Sequence, residues 1–323
     1  MANKYEFLPV TVVGVEQATP LIKRFTLARE DGEPLPAFTG GSHILVQMQG
    51  EDGRQYSNAY SLMSDPFDTR HYQIGVRLEE QSKGGSAFMH QQVQVGSRLM
   101  ISHPNNLFAL DAAAQRHVLI AGGIGITPFL SQLYELQAQG AAYELHYAFR
   151  APEHGAFQDT LRQEAFAAHT RFYIDSAGTS LDLNALLGGL QDGAHAYVCG
   201  PRPLIDAVIA SAQALGIAPE RVHWEQFSSA APEGGAFTVT LAKSGRQLVV
   251  EEGMSILQAI ENAQAATVEC LCREGVCGTC ETFILEGEAD HRDQYYSEEE
   301  KAAQKSLLIC VSRAKGSALV LDL

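Results

Sequence analysis

Cys272-Arg-Glu-Gly-Val-Cys277-Gly-Thr-Cys280 is the stretch that decides how this chain is read. Three cysteines in C-x4-C-x2-C spacing crowd one glycine-bearing loop, and a fourth, Cys310, follows after 29 intervening residues. This is the plant-type spacing of [2Fe–2S] ligands. Three thiolates wrap a cluster from one loop, and the fourth closes it from a distant segment. Structural zinc sites instead pair two short knuckles, so a lone fourth cysteine suits zinc poorly. Nothing marks the chain as secreted, which argues against disulfides. Cys270 is left over. Counting from it puts six residues before Cys277, so it reads as a small buried apolar residue. A cluster of this kind carries one electron at a time, and the rest of the chain has to explain the source and destination of those electrons.

Upstream of that loop the texture is different. At 323 residues the chain exceeds one typical domain, and a prior of about 150 residues per domain suggests two or three. The segment 228–236, Ser-Ser-Ala-Ala-Pro-Glu-Gly-Gly-Ala, is small and polar and reads as a linker. It separates the cysteine block, 237–323, from everything before it. Within that block, strands are expected at 237–241 and 247–250 and a helix at 256–262.

Residues 108–227 alternate short apolar runs with helical stretches. Strands are expected at 117–121, 144–149, 171–174 and 196–199, with helices at 129–139, 158–167, 183–187 and 204–215. Such alternation implies a parallel α/β sheet. Residues 1–107 instead show apolar runs at 10–15, 22–27, 43–48 and 72–78, broken by Gly40-Gly41, Gly50 and Gly53. That pattern suggests an antiparallel barrel. No internal repeat is visible.

Composition excludes several roles. The hydrophobic fraction is 46% and the charged fraction 19%, ordinary values for a globular protein. The formal net charge of −15 argues against a nucleic-acid partner, because phosphate binding needs clustered Lys and Arg. The first ten residues hold no apolar core of a signal peptide. The longest uncharged stretch, 118–134, is too broken by glycine and Pro128 to span a membrane. A cytoplasmic location with no membrane partner is the expectation.

Two glycine turns stand where strands of the middle block end. Gly122-Gly123-Ile-Gly125-Ile-Thr127-Pro128 follows one strand and opens a helix, whose N-terminus favours phosphate. Pro128 occupies the third glycine position of the usual dinucleotide fingerprint, so that fingerprint fails. Proline is acceptable in a first helical turn. Tyr197-Val-Cys199-Gly200-Pro201 ends another strand, at the carboxyl edge where open α/β sheets bind ligands. Read singly, the first is a tight turn and Cys199 a small buried residue.

Together these motifs resemble the nicotinamide domain of the ferredoxin–NADP reductase superfamily. The resemblance implies that Gly123, Gly125, Thr127, Cys199, Gly200 and Pro201 face a nicotinamide nucleotide, with Cys199 near its reactive carbon. The superfamily binds flavin through Arg-x-Tyr-Ser. The matching segment here is Asn58-Ala-Tyr60-Ser61. Tyr60 is implied to pack beside the flavin and Ser61 to face its N5 edge. Asn58 replaces the phosphate-binding arginine, which leaves Arg77 and Lys83-Gly84-Gly85-Ser86 to meet the phosphate. Read without the family, these are a strand residue and a surface loop. His223-Trp-Glu225-Gln-Phe227 resembles the His-Phe-Glu-x-Phe segment of the phthalate dioxygenase reductase family, where the last aromatic covers the flavin. It implies that role for Phe227, with Glu225 beside it. Read alone, the segment is a closing strand with buried aromatics.

The domain order, with the ferredoxin module last, also resembles the phthalate dioxygenase reductase family, and the likeness covers nearly the whole chain. It implies a β-grasp fold for the cysteine block, FMN on the barrel and NADH as the hydride donor. The partner is then a terminal Rieske-type oxygenase. Hydride delivers two electrons at once and the cluster accepts one, so a flavin has to stand between them. NADPH stays open, since Arg150 and Asp175-Ser176 point in opposite directions for the ribose phosphate. Two other readings also stay open. One is a flavin reductase, with FMN or FAD, serving another metalloprotein or a ferredoxin. The other is a non-catalytic metal-binding or electron-transfer module.

Overall fold

The computed structural model describes residues 6–50, 55–79, 84–190, 192–227 and 234–323. Lys83 and most of the expected linker, 228–233, lie outside the described residues. The described chain divides into two compact units, one of residues 6–56 and 60–226, the other of 57–59 and 227–323.

The first unit holds two sheets. Strands β1 (Phe7–Thr19), β2 (Ile22–Ala28), β3 (His43–Gln49), β4 (Gln55–Ser61, of which 57–59 group with the other unit), β5 (Tyr72–Arg77) and β6 (Arg98–Ser102) run in the order β4-β3-β6-β1-β2-β5. Neighbouring strands are antiparallel where the register is defined. The chain just past β4 returns to the other edge. Leu62 bridges Ile74 of β5, and Met63 N–H donates to the Gln73 carbonyl at 2.8 Å. That bridge joins the two outer strands and makes the sheet a barrel, which removes its open edges. The interior is filled by every second residue: Phe25 and Leu27, Ile44, Val46 and Met48, Tyr72, Ile74 and Val76, Leu99 and Ile101. This is the period-2 alternation a barrel strand needs.

The second sheet is parallel throughout. Strands β7 (Arg116–Gly122), β8 (Ala142–Phe149), β9 (Thr170–Ile174), β10 (Ala194–Cys199) and β11 (Val222–Glu225) lie in the order β11-β10-β7-β8-β9. The chain moves outward from β7 through β8 to β9, then returns to the far side of β7 for β10 and β11. The gap between β7 and β10 is therefore the topological switch point. The helix Thr127–Gln139 carries a proline in its first turn and ends on Gly140 at φ 63°, a left-handed cap suited to glycine. The helix expected over 158–167 is two single turns, Gln158–Leu161 and Glu164–Ala167, reset by extended backbone at Gln163. Leu161 and Phe166 are both buried. Five residues apart on one continuous helix, they would point to different faces.

Hydrogen bonds tie the Thr127–Gln139 helix to the barrel. Gly40 N–H donates to Glu135 Oε2 at 2.7 Å, Gly41 N–H to Ser131 Oγ at 3.1 Å, and Gln132 Nε2 to the Phe108 carbonyl at 2.6 Å. Arg24 of β2 lies over the Phe157 ring, 5.1 Å from its centroid, and within 3.5 Å of the Asp159 carboxylate. These bonds explain why barrel and parallel sheet form one compact unit.

The second unit is a β-grasp fold. Strands β12 (Phe237–Leu241), β13 (Arg246–Val250), β14 (Glu281–Glu286), β16 (Ser306–Leu308) and β18 (Ala318–Leu321) make a mixed sheet in the order β13-β12-β18-β14-β16, and β15 (Ala289–Asp290) pairs with β17 (Arg313–Ala314). The helix Ile256–Asn262 packs Ile256, Leu257, Ala259 and Ile260 into the core. Its start is fixed by a capping box between Ser255 and Gln258. Among the described residues, no helix is long and apolar enough to cross a membrane.

Candidate functional site

In the second unit the cysteine loop is held at both ends. Leu271 N–H donates to Thr279 Oγ1 at 3.0 Å, and Gln294 N–H to the Gly275 carbonyl at 3.1 Å. Gly275 and Gly278 both have φ 74°. A Cβ on Gly275 would lie 2.7 Å from Val311, and one on Gly278 would lie 2.5 Å from the Tyr295 ring. Backbone strain and lack of space both demand glycine there. Cys280 directly precedes β14 and Cys310 lies two residues past β16. The antiparallel pairing of Glu281 with Leu308 brings the two thiols together. Cys272, Cys277, Cys280 and Cys310 are all buried. They fall into two sets: Cys272 and Cys277 interact with each other, while Cys280 and Cys310 lie together.

Cys270 corrects the sequence reading. It is half-buried rather than buried, and its sulfur lies within 4.8 Å of those of Cys280 and Cys310. Spacing along the chain could not show this, because the loop folds back on itself.

In the first unit, the two glycine turns meet at the switch point. A Cβ on Gly125 would lie 2.2 Å from the Cys199 carbonyl oxygen, and one on Gly200 would lie 3.0 Å from Gly122 Cα. The turns after β7 and β10 thus touch backbone to backbone. Gly123, at φ 55°, faces open space. Thr127 is buried, and its hydroxyl donates to the Ile124 carbonyl at 3.1 Å. Pro201 precedes the helix Arg202–Ala214. Cys199 and Glu225 end neighbouring strands in register, with Sγ 4.0 Å from Oε2. Burial pushes the Glu225 carboxyl up to about 8. Burial first, and Glu225 second, push the Cys199 thiol well above its ordinary value. At neutral pH both groups carry their protons.

On the barrel, Ser61 ends β4. Its hydroxyl is buried and has no hydrogen-bond partner among the described residues. Tyr60 packs against the barrel core, and Asn58 is half-buried on the same strand. Arg77 ends β5. Its Nε is buried without a partner among the described residues, and its Nη1 is 3.9 Å from Glu79. Gly84, at φ 111°, sits against Tyr56, where a Cβ would lie 2.2 Å from the ring. It leads through Gly85 into a short helix, and Ser86 Oγ accepts from Glu79 N–H at 3.3 Å. Phe227 lies two residues beyond β11 and groups by contact with the second unit.

Gly75 escaped the sequence reading. A Cβ there would lie 2.9 Å from both Thr127 Cγ2 and Phe157. The bare backbone of β5 therefore lets the barrel approach the first glycine turn. A glycine inside a strand run is the available signal for such an approach.

The residues present fit the groups these sites imply. An all-thiol, buried donor set in two pairs suits a [2Fe–2S] cluster. The unpaired Ser61 hydroxyl costs about 1–3 kcal/mol as it stands, and a polar flavin edge would satisfy it. Two glycine turns at a switch point suit a dinucleotide.

A barrel bonded to a parallel nucleotide-type sheet, with a β-grasp thiol unit after them, defines an electron-transferring reductase. Residues 239–315 match the 2Fe-2S iron-sulfur cluster binding domain family. Residues 98–222 match the family described as dimethylamine monooxygenase subunit DmmA-like, N-terminal domain. The carnitine monooxygenase reductase subunit of Escherichia coli K12 is 59% identical over 321 residues, 99% of this chain and all of that one. The heme-dependent oxidative N-demethylase beta subunit of Ectopseudomonas mendocina is 46% identical, over 98% of this chain and 99% of its own. Among solved structures, phthalate dioxygenase reductase superposes with a TM-score of 0.74 at 33% identity, covering 98% of each chain. The chain belongs to the phthalate dioxygenase reductase family of oxygenase reductase subunits.

Proposed function

We propose that this chain is the NADH-dependent reductase component of a two-component Rieske oxygenase that acts on carnitine. The observation that supports the reading is the presence, in one chain, of two glycine turns meeting at a switch point and a buried two-pair thiol site. The carnitine partner rests on the full-length likeness to carnitine monooxygenase reductase subunits. Segments 56–62, 104–110 and 269–280 resemble that component. The domains are assigned as a flavin-binding barrel (1–107), an NAD-binding α/β domain (108–227), a linker (228–236) and a ferredoxin domain (237–323). With six free cysteines, a reducing cytoplasm is the fitting compartment.

When bound, the groups supply the redox chemistry: hydride from NADH to FMN, then single electrons to the [2Fe–2S] cluster and on to the oxygenase. The chain's own residues position and insulate. Gly123, Gly125, Thr127, Gly200 and Pro201 bring backbone close to the dinucleotide. Cys199 and Glu225, both protonated, form a neutral wall beside the nicotinamide. A neutral wall neither repels nor traps a ring that becomes positively charged on losing hydride. Tyr60 and Ser61 would hold the flavin ring, Ser61 through its hydroxyl, unpaired among the described residues. Asn58, Arg77 and Gly84-Gly85-Ser86 would meet its phosphate, with Lys83, which lies outside the described residues, as a further candidate. The family resemblance gives Phe227 the role of a covering aromatic. Cys272, Cys277, Cys280 and Cys310 would ligate the cluster.

Purified chain mixed with its terminal oxygenase and carnitine should consume NADH in step with carnitine turnover, and the released flavin should be FMN. NADH oxidation by an artificial acceptor, with no electron delivery to any Rieske oxygenase, would defeat the proposal. The 46% identity to a heme-dependent N-demethylase subunit favours one second reading, a reductase serving a different metal centre. Turnover of that system and not of the Rieske oxygenase would support it.

A further inference from the structure

Five thiols crowd a site that needs four. Cys272 and Cys277 form one interacting set. Cys270, Cys280 and Cys310 form the other, all three sulfurs within 4.8 Å of one another. A four-cysteine [2Fe–2S] centre asks for two thiolates on each iron. The second set therefore holds one thiol more than its iron can take. At metal–thiolate bonds of about 2.3 Å, sulfurs sharing a tetrahedral metal sit slightly under about 4 Å apart. Cys270 thus lies within about 1 Å of the spacing that two thiolates on one metal show. Its surroundings permit a move of that size. Cys270 is half-buried, whereas Cys280 and Cys310 are buried, and its neighbour Leu271 is anchored through its own N–H to Thr279. The backbone stays in place while the side chain turns.

We propose that Cys270 is a reserve ligand for the iron held by Cys280 and Cys310. When either of those sulfurs is lost, Cys270 gives its proton to solvent and its thiolate takes the vacated position. One metal–sulfur bond replaces another, and no electrons move. Among the described residues the three-thiol group holds Cys270, Cys280 and Cys310 and neither Cys272 nor Cys277, so the reserve serves one iron. The inference rests on the cluster assignment made above.

The test uses full-length chains purified without air, measuring iron and acid-labile sulfide per chain and the spectrum of the reduced cluster. Wild type and Cys270→Ala should both be fully loaded. Cys310→Ala should keep at least half the iron with an altered spectrum, and Cys270→Ala/Cys310→Ala should lose at least tenfold. Cys272→Ala should be empty. If Cys310→Ala does not fold, Cys280→Ala with and without Cys270→Ala provides the same comparison. A loaded wild type beside a Cys310→Ala chain as empty as the double variant overturns the reserve role alone. Retention of the cluster in Cys272→Ala would overturn the assignment to one iron. A wild type without iron removes the cluster reading and this inference with it.

Discussion

Ser61 and Glu225 are both buried polar residues of the first unit, and each has a measurable consequence. The Ser61 hydroxyl is buried at the end of β4 without a partner among the described residues. Ser61→Ala should therefore leave the flavin-free chain as stable or up to about 1 kcal/mol more stable. It should also slow flavin reduction by NADH about tenfold, read by rapid mixing. Equal rates would remove Ser61 from the hydride path. Glu225 makes a prediction in pH. Its folded value, about 8, lies above the ordinary 4.5, because burial disfavours the charged form. The stability it gives as a neutral acid is whole below about 4.5. It is lost as pH rises through 8, at about 1.4 kcal/mol per unit and about 4–5 kcal/mol at most. Glu225→Gln keeps the neutral shape, so its melting temperature should fall less than that of wild type between pH 6 and 9. Parallel melting curves for the two chains would contradict a buried neutral carboxyl.

Secondary elements differ in how plainly the sequence announces them, and the reason is burial contrast. β2, β3, β5, β7, β8 and β10 stand out because apolar runs or alternation mark their buried faces. β4 does not: five of its seven residues are half-buried, so no period separates two faces. The same strand carries Tyr60 and Ser61, and family resemblance had to find what periodicity could not. The helix Glu298–Ala303 buries none of its residues, and its only sequence mark is the capping box Ser297 to Glu300. Cys270 and Gly75 were invisible for a related reason: each matters through a neighbour distant in the chain or across a loop. Helix Ile256–Asn262 is the opposite case, legible and energetically exposed. At seven residues it is too short to persist without its cap and its buried face. Ser255→Ala should cost the ferredoxin unit about 1 kcal/mol. The loss should appear as earlier bleaching of the cluster on heating, with flavin release unchanged. Simultaneous flavin loss would mean that the two units melt as one.

Over the whole molecule, charge is the property left to assign. Residues 237–323 hold 14 acidic and 8 basic side chains, a net of −6 within a chain of −15. Acidity of this kind keeps a protein soluble, and it also steers encounter with a basic partner. Salt separates these roles. Steering between exposed charges acts over a Debye length of about 8–10 Å at 0.1–0.15 M and only about 3 Å at 1 M. If the ferredoxin unit docks on the oxygenase through its acidic surface, electron delivery at limiting oxygenase should fall several-fold between 0.05 and 0.5 M salt, taken as roughly a threefold contraction of that length. NADH oxidation by a small neutral acceptor should be unchanged over the same range, since it needs no docking. A fall in both reactions would place the salt effect at the nicotinamide site. No fall in either would make the acidity a matter of solubility alone.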